Sequence, residues 1–289
     1  MHFFYLAPSV LFIVYAVLAH GAVWGAAERL CKIKARRYAP SRLPDAFDTE
    51  LDNTYDIDFL NLSDEGTALV LVDVWNDSGD LLEYEKMRIR PLLALARRRG
   101  WYIIHAPSEM PEWGGISVLP GEAIVRGVDG RPGSASLCSP LLTESSRNFN
   151  HVLVAGFDAD RCVLDKPCGI LRLTQDLLPY DVEVILVRDS TLAATGSWFG
   201  NLYYSTEASV NLIEAGRWLP RDRQFVRSIT LLDCVMGCNI PKNDPIAVNA
   251  STPLGILTPS AGGNAPVHAD LPSWIGLSND LREKKRIRF

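Results

Sequence analysis

The sequence predicts an α/β protein: a three-layer α/β/α domain with a mostly parallel, Rossmann-like sheet of about six strands, preceded by an N-terminal transmembrane helix. Three observations predict this. Unbroken apolar runs such as Ala68-Leu69-Val70-Leu71-Val72 have the composition of strands buried on both faces. Helical stretches alternate with these runs, which favours a parallel sheet covered on both sides. Finally, residues 3–27 contain no Asp, Glu, Lys or Arg and are long enough to cross a bilayer core of about 30 Å.

The N-terminal stretch reads as a membrane anchor followed by Arg29, Lys32, Lys34, Arg36 and Arg37. Basic residues just after a span retain their side of the membrane, so the expectation is a single-pass protein with a cytoplasmic domain. The alternative is a cleaved secretory signal, for which Ala19, Gly21 and Ala22 offer small residues for processing, and a secreted protein. Residues 29–65, with Pro40 and Pro44, read as a linker. The domain is expected over 66–240, and 241–289, rich in Pro, Gly, Asn and Ser, as an irregular tail.

Within the domain the first strand ends at Asp73. A helix around Lys86 to Arg99 is closed by Gly100, and Trp101-Tyr102-Ile103-Ile104 forms the next strand. Ala123-Ile124-Val125, a helix before Asn150, and the strand Val152-Leu153-Val154-Ala155 continue the rhythm. A helix from about Cys162, the strand Val182 to Val187, a helix from Glu207 to Trp218 and a last strand Ser228 to Leu232 complete it.

The net charge of −5 and the scattered arginines give no basic face for nucleic acid. Six cysteines in 289 residues are too sparse for a small disulfide scaffold and are read as mostly free thiols. Cys234 and Cys238 stand at helical i,i+4 spacing without a nearby histidine, which suits buried small hydrophobes better than a metal site.

Two segments carry candidate chemistry. Asp73, in Leu71-Val72-Asp73-Val74-Trp75-Asn76-Asp77, emerges at a strand's carboxyl end and is a candidate general base, or else a cap. In Val152-Leu153-Val154-Ala155-Gly156-Phe157-Asp158-Ala159-Asp160-Arg161-Cys162-Val163, a strand, a glycine and a turn lead to a cysteine opening a helix. A helix N-terminus lowers a thiol's pKa, and the thiolate is the nucleophile; the alternative for Cys162 is a buried structural thiol. A thiol-sensing pair of Cys162 with Cys168 is a further reading.

These segments, with Ile104-His105-Ala106-Pro107-Ser108 and Val187-Arg188-Asp189-Ser190, resemble the isochorismatase-like cysteine hydrolases over roughly residues 66–235. The resemblance implies an Asp, Lys and Cys triad acting on a small substrate's carbonyl carbon, usually in amides, and a homo-oligomer. It implies Asp73 as base, Cys162 as nucleophile, a cis peptide at Phe157–Asp158, and the amides of Asp158 and Cys162 as an oxyanion hole. The family's lysine follows the third strand, where this chain has Arg126 in Ala123-Ile124-Val125-Arg126-Gly127. Arg126 would supply charge but no proton transfer; the alternative is a surface arginine.

Trp75, His105 and Trp113 are candidate pocket residues, and for His105 a satisfied core histidine is equally open. The family's zinc-binding branch uses more histidines than the one in His105-Ala106-Pro107-Ser108-Glu109, so neither metal nor other cofactor is expected. The missing lysine also leaves open a non-catalytic protein of the same fold that binds a ligand or partner.

Overall fold

The computed structural model describes residues 30–38, 55–74, 80–107, 116–126, 138–193, 202–215 and 226–254. Among these residues eight strands form one sheet: β1 (Cys31–Tyr38), β2 (Tyr55–Leu62), β3 (Thr67–Val72), β4 (Tyr102–Ala106), β5 (Ala123–Ile124), β6 (His151–Phe157), β7 (Glu183–Leu192) and β8 (Arg227–Ile229). Their order is β2-β1-β8-β7-β6-β3-β4-β5. From β5 to β8 every pairing is parallel, whereas β1 pairs antiparallel with both β8 and β2. The six parallel strands therefore follow the doubly wound order, with the chain reversing direction across the sheet between β3 and β6.

The described helices are α1 (Asp80–Tyr84), which runs through a π-helical turn into α2 (Arg90–Arg99), then α3 (Ser139–Thr143), α4 (Cys162–Asp165), α5 (Ile170–Leu177), α6 (Leu202–Glu214), α7 (Leu231–Gly237) and α8 (Pro245–Ser251). Helix α2 ends where Gly100 takes a left-handed φ of 69° and donates its amide to Ala96 and Arg97. Alternate strand residues sort onto two cores. Leu69, Leu71, Leu153 and Ile185 pack with Leu92, Leu95 and Val235 on one face. Val70, Val72, Val154 and Leu186 pack with Leu173, Val210 and Ile213 on the other, which makes the three layers.

Several expectations change here. The segment 29–65 is no linker, because β1 and β2 form a hairpin that widens the sheet. Cys31, Ile33 and Ala35 face the core while Lys32 and Lys34 face outward, so these two of the residues read as a membrane flank lie on one side of a strand; Arg29 lies outside the described residues. Pro245–Ser251 is a helix packed on the core through Ile246, Ala247 and Ala250, so the irregular tail does not begin at 241. The strand expected through Leu232 stops at Ile229, because Thr230 caps α7 in a reciprocal capping box with Asp233.

Four of the six cysteines are paired rather than free. Cys31–Cys238 joins β1 to the end of α7, with Cα atoms 4.3 Å apart, and Cys138–Cys168 joins the start of α3 to the turn before α5. Cys162 and Cys234 are the free thiols. Residues separated by 207 positions in the sequence cannot be paired from spacing alone. Gly237 permits the close approach at β1, since a Cβ there would lie 2.4 Å from the Lys32 carbonyl oxygen. Among the described residues no helix is long and apolar enough to cross a membrane; the proposed span 3–27 lies outside them.

Candidate active site

Asp73 stands one residue past β3 and the Asp158–Cys162 turn directly follows β6, so both sit at the carboxyl ends of the two strands where the winding reverses. Open α/β sheets bind their ligands in this crevice. The Asp73 carboxylate is fully buried and its amide donates to Ala106 O at 3.1 Å. Asp73 and Asp158 both take left-handed backbone angles, φ 47° and 61°. Aspartate reaches this region more readily than most non-glycine residues.

Gly156 sets the approach of β6 to β3. Its φ is 143°, and a Cβ there would fall 1.9 Å from the Val72 carbonyl oxygen. Beyond it the turn is wound on one acceptor: the amides of Arg161, Cys162 and Val163 donate to Asp158 O at 3.0, 2.8 and 3.2 Å. Helix α4 is a single turn, and it places Lys166 four residues after Cys162, with its amide on Cys162 O at 3.2 Å. The Lys166 ammonium is paired with the Asp73 carboxylate and also faces the Cys162 thiol.

This is the residue that sequence reasoning missed. The expected cation after the third strand is Arg126, which lies exposed beyond β5. The usable signal was the i,i+4 spacing of Cys162 and Lys166, which puts two side chains on one helical face. Burial lowers the pKa of Lys166, but its pairing with Asp73 outweighs this and raises it, so the group stays an ammonium.

The thiol itself departs from expectation. Cys162 is buried and donates to Asp158 Oδ2 at 3.1 Å. Burial first, then the Asp73 and Asp158 carboxylates, push its pKa up rather than down. A one-turn helix offers little dipole against two carboxylates.

The expected oxyanion hole is likewise altered, because the Cys162 amide is engaged by Asp158 O. No cis peptide occurs among the described residues, so Phe157–Asp158 is trans.

His105 does not enter the pocket. It lies opposite Leu71 on the other face of the sheet, with Nε2 2.8 Å from Glu122 Oε2, and Arg97 holds the same carboxylate from α2 at 2.6 and 3.0 Å. Burial lowers the His105 pKa, as expected of a neutral core histidine whose polar atom is satisfied. Trp75 and Trp113 lie outside the described residues. A shallow pocket beside the Asp73–Lys166 pair is lined by Val72, Ala106, Val125, Lys166, Pro167 and Cys168. The Cys138–Cys168 disulfide thus borders it, which leaves Cys168 no thiol to pair with Cys162.

No family model matches the chain, and no curated protein sequence matches it. Among solved structures it is similar to the MAR1 ribonuclease of Caenorhabditis elegans, at 15% identity over 71% of this chain and 95% of that one, with a TM-score of 0.41. It is similar to an isochorismatase from Pseudomonas putida KT2440, at 16% identity over 58% of this chain and 89% of that one, TM-score 0.41. YcaC from Pseudomonas aeruginosa, with hexane-2,5-diol and covalent acrylamide, aligns at 15% identity over 76% and 96%, TM-score 0.42. Likenesses of this grade decide nothing about chemistry; the site's own geometry has to carry it.

Proposed function

We propose that the chain is a hydrolase of a small amide or related carbonyl substrate, with Cys162 as nucleophile. The observation that carries this reading is the meeting of Asp73, Lys166 and Cys162 at the reversal of the sheet. In this mechanism Asp73 takes the thiol proton as sulfur attacks the carbonyl carbon, the C–N bond breaks, and the amine leaves with that proton. Water then cleaves the thioester, releasing the acid and the thiol. Lys166 holds the Asp73 carboxylate and compensates the thiolate as it forms, the role expected of Arg126. The resemblance to isochorismatase-like hydrolases supports the same reading.

Screening amides with the full chain tests it. Cys162→Ala and Asp73→Asn each abolish turnover if the roles are right, whereas full activity in Asp73→Asn would transfer the base role to Asp158, the thiol's present acceptor. A second reading, a ligand-binding protein without turnover, is supported by the raised thiol pKa and the engaged Cys162 amide. Absence of turnover with every amide, together with saturable ligand binding, would favour it.

The same proposal places the domain on the oxidising side of a membrane, in favour of the secreted alternative. Two disulfides support this, because such bonds are rare in reducing compartments. Whether residues 3–27 remain as an anchor is read by mass of the mature protein. A homo-oligomer belongs to the proposal as well. Phe59, 60% exposed, and Ile57 on edge strand β2 give it apolar surface, and light scattering measures it.

A further inference from the structure

Asp158 and Asp160, in the turn between β6 and α4, are only 7% and 6% exposed. Both Asp160 carboxylate oxygens and Asp158 Oδ1 are buried without a hydrogen-bond partner. The two carboxylates adjoin one another, and the other Asp158 oxygen accepts from the Cys162 thiol. Buried carboxylate oxygens without donors are costly and are rarely left so unless something else meets them.

The charge balance points the same way. At the thiol stand the carboxylates of Asp73 and Asp158, with Asp160 beside Asp158, against the ammonium of Lys166, which Asp73 already holds. Arg161, the other charged group of the turn, acts on Asp158 from an exposed position and donates no hydrogen bond to Asp160. Burial and the neighbouring Asp160 raise the Asp158 pKa. A hydrogen bond between the two acids would still leave one Asp160 oxygen without a donor. Among the described residues no group of three or more His, Cys, Asp or Glu is arranged to hold a metal ion, and paired carboxylates suit an organic cation.

We propose that Asp158 and Asp160 select substrates bearing a cationic group, an ammonium or guanidinium, seated beside the carbonyl that Cys162 attacks. This rests on the hydrolase reading and names its substrate class. It also couples binding to activation: the arriving cation offsets the carboxylates that keep the thiol protonated, so the nucleophile is released when its substrate is present.

The test needs no turnover. The full chain is treated separately with aminoethyl (cationic) and sulfonatoethyl (anionic) methanethiosulfonate, and modification of Cys162 is followed by peptide mass spectrometry. In each case the Cys162 sulfur bonds to the reagent's sulfenyl sulfur, methanesulfinate leaves and the thiol proton passes to buffer. The cationic-to-anionic rate ratio is expected to exceed that of 2-mercaptoethanol at least tenfold, and to fall toward it in Asp160→Asn. A wild-type ratio no greater than that of the small thiol overturns the inference, as does an excess unchanged in Asp160→Asn. The wild-type comparison stands even if the variant does not fold. A chain that keeps the excess but hydrolyses no amide sinks the hydrolase reading alone; one that hydrolyses neutral amides with no excess sinks the cation alone.

Discussion

The ammonium of Lys166 pairs with the carboxylate of Asp73, 93 residues earlier in the chain, across the strand pair β3–β6. Asp73 is wholly buried and Lys166, which lines the pocket, is a quarter exposed, so the pair is largely out of water. Cys162 sits one helical turn before Lys166 and meets both charges.

Lys166→Met should therefore lower turnover at least about 100-fold, the range ascribed to positioned acid–base groups. Arg126→Gln, at an exposed position, should change it less than about threefold, within the small effect of surface substitutions. Lys166→Arg should recover part of the loss if charge is what matters. Melting curves belong beside the kinetics, because stranding buried Asp73 costs about 3–5 kcal/mol. Equal losses from Lys166→Met and Arg126→Gln would refute the assignment.

Gly156→Ala should destabilise the protein by about 3 kcal/mol or more, combining a backbone angle unfavourable to L-residues with overpacking. The added methyl would meet the Val72 carbonyl of the adjoining strand, which cannot move without disturbing Asp73 next to it. Denaturant unfolding measures the effect, and a loss below 1 kcal/mol would show that β6 and β3 can separate.

Alkylation of the unreduced, denatured chain should label Cys162 and Cys234 and leave the other four cysteines unmodified until a dithiol reductant is added. Removing Cys31–Cys238 by paired serine substitution should cost about 2–5 kcal/mol, as for native disulfides generally. Four labelled cysteines would contradict one of the two bonds.

Acid should weaken the Arg97–Glu122–His105 cluster in two steps of the same sign. Burial holds His105 below its usual pKa, so the unfolded chain binds more protons there and stability falls as pH drops below about 6.5. Although burial opposes it, the hydrogen bonds from Arg97, Leu119 and His105 hold Glu122 down to about 2. Its stabilisation is present above the unfolded carboxylate range and is lost as pH falls toward 2. Glu122→Gln should flatten the lower step in a pH series of melting temperatures; an unchanged acid limb would remove Glu122 from it.

A fragment beginning at Asp64, natural if 29–65 were a linker, would delete β1 and β2 and leave Cys238 without its partner. Its insolubility or low stability would follow from exposing the β8 edge.

Local and periodic features are legible in the residues alone. The buried strands β3, β6 and β7, the helix closed by Gly100, and the placement of Asp73 and Cys162 at strand ends all follow from apolar runs and turn residues in single segments. The α/β class and the crevice position follow from their alternation.

The remaining features depend on which distant segments meet. Pairing Cys31 with Cys238 needs β1 laid against α7, and β1 with its short polar alternation reads as a loop until β8 gives it an edge. Which face His105 points to is settled by strand register against Leu71, and which cation reaches Asp73 by the single turn of helix after Cys162. Charge and burial at a site are sums over neighbours from several elements, and a single segment carries only its own share of them.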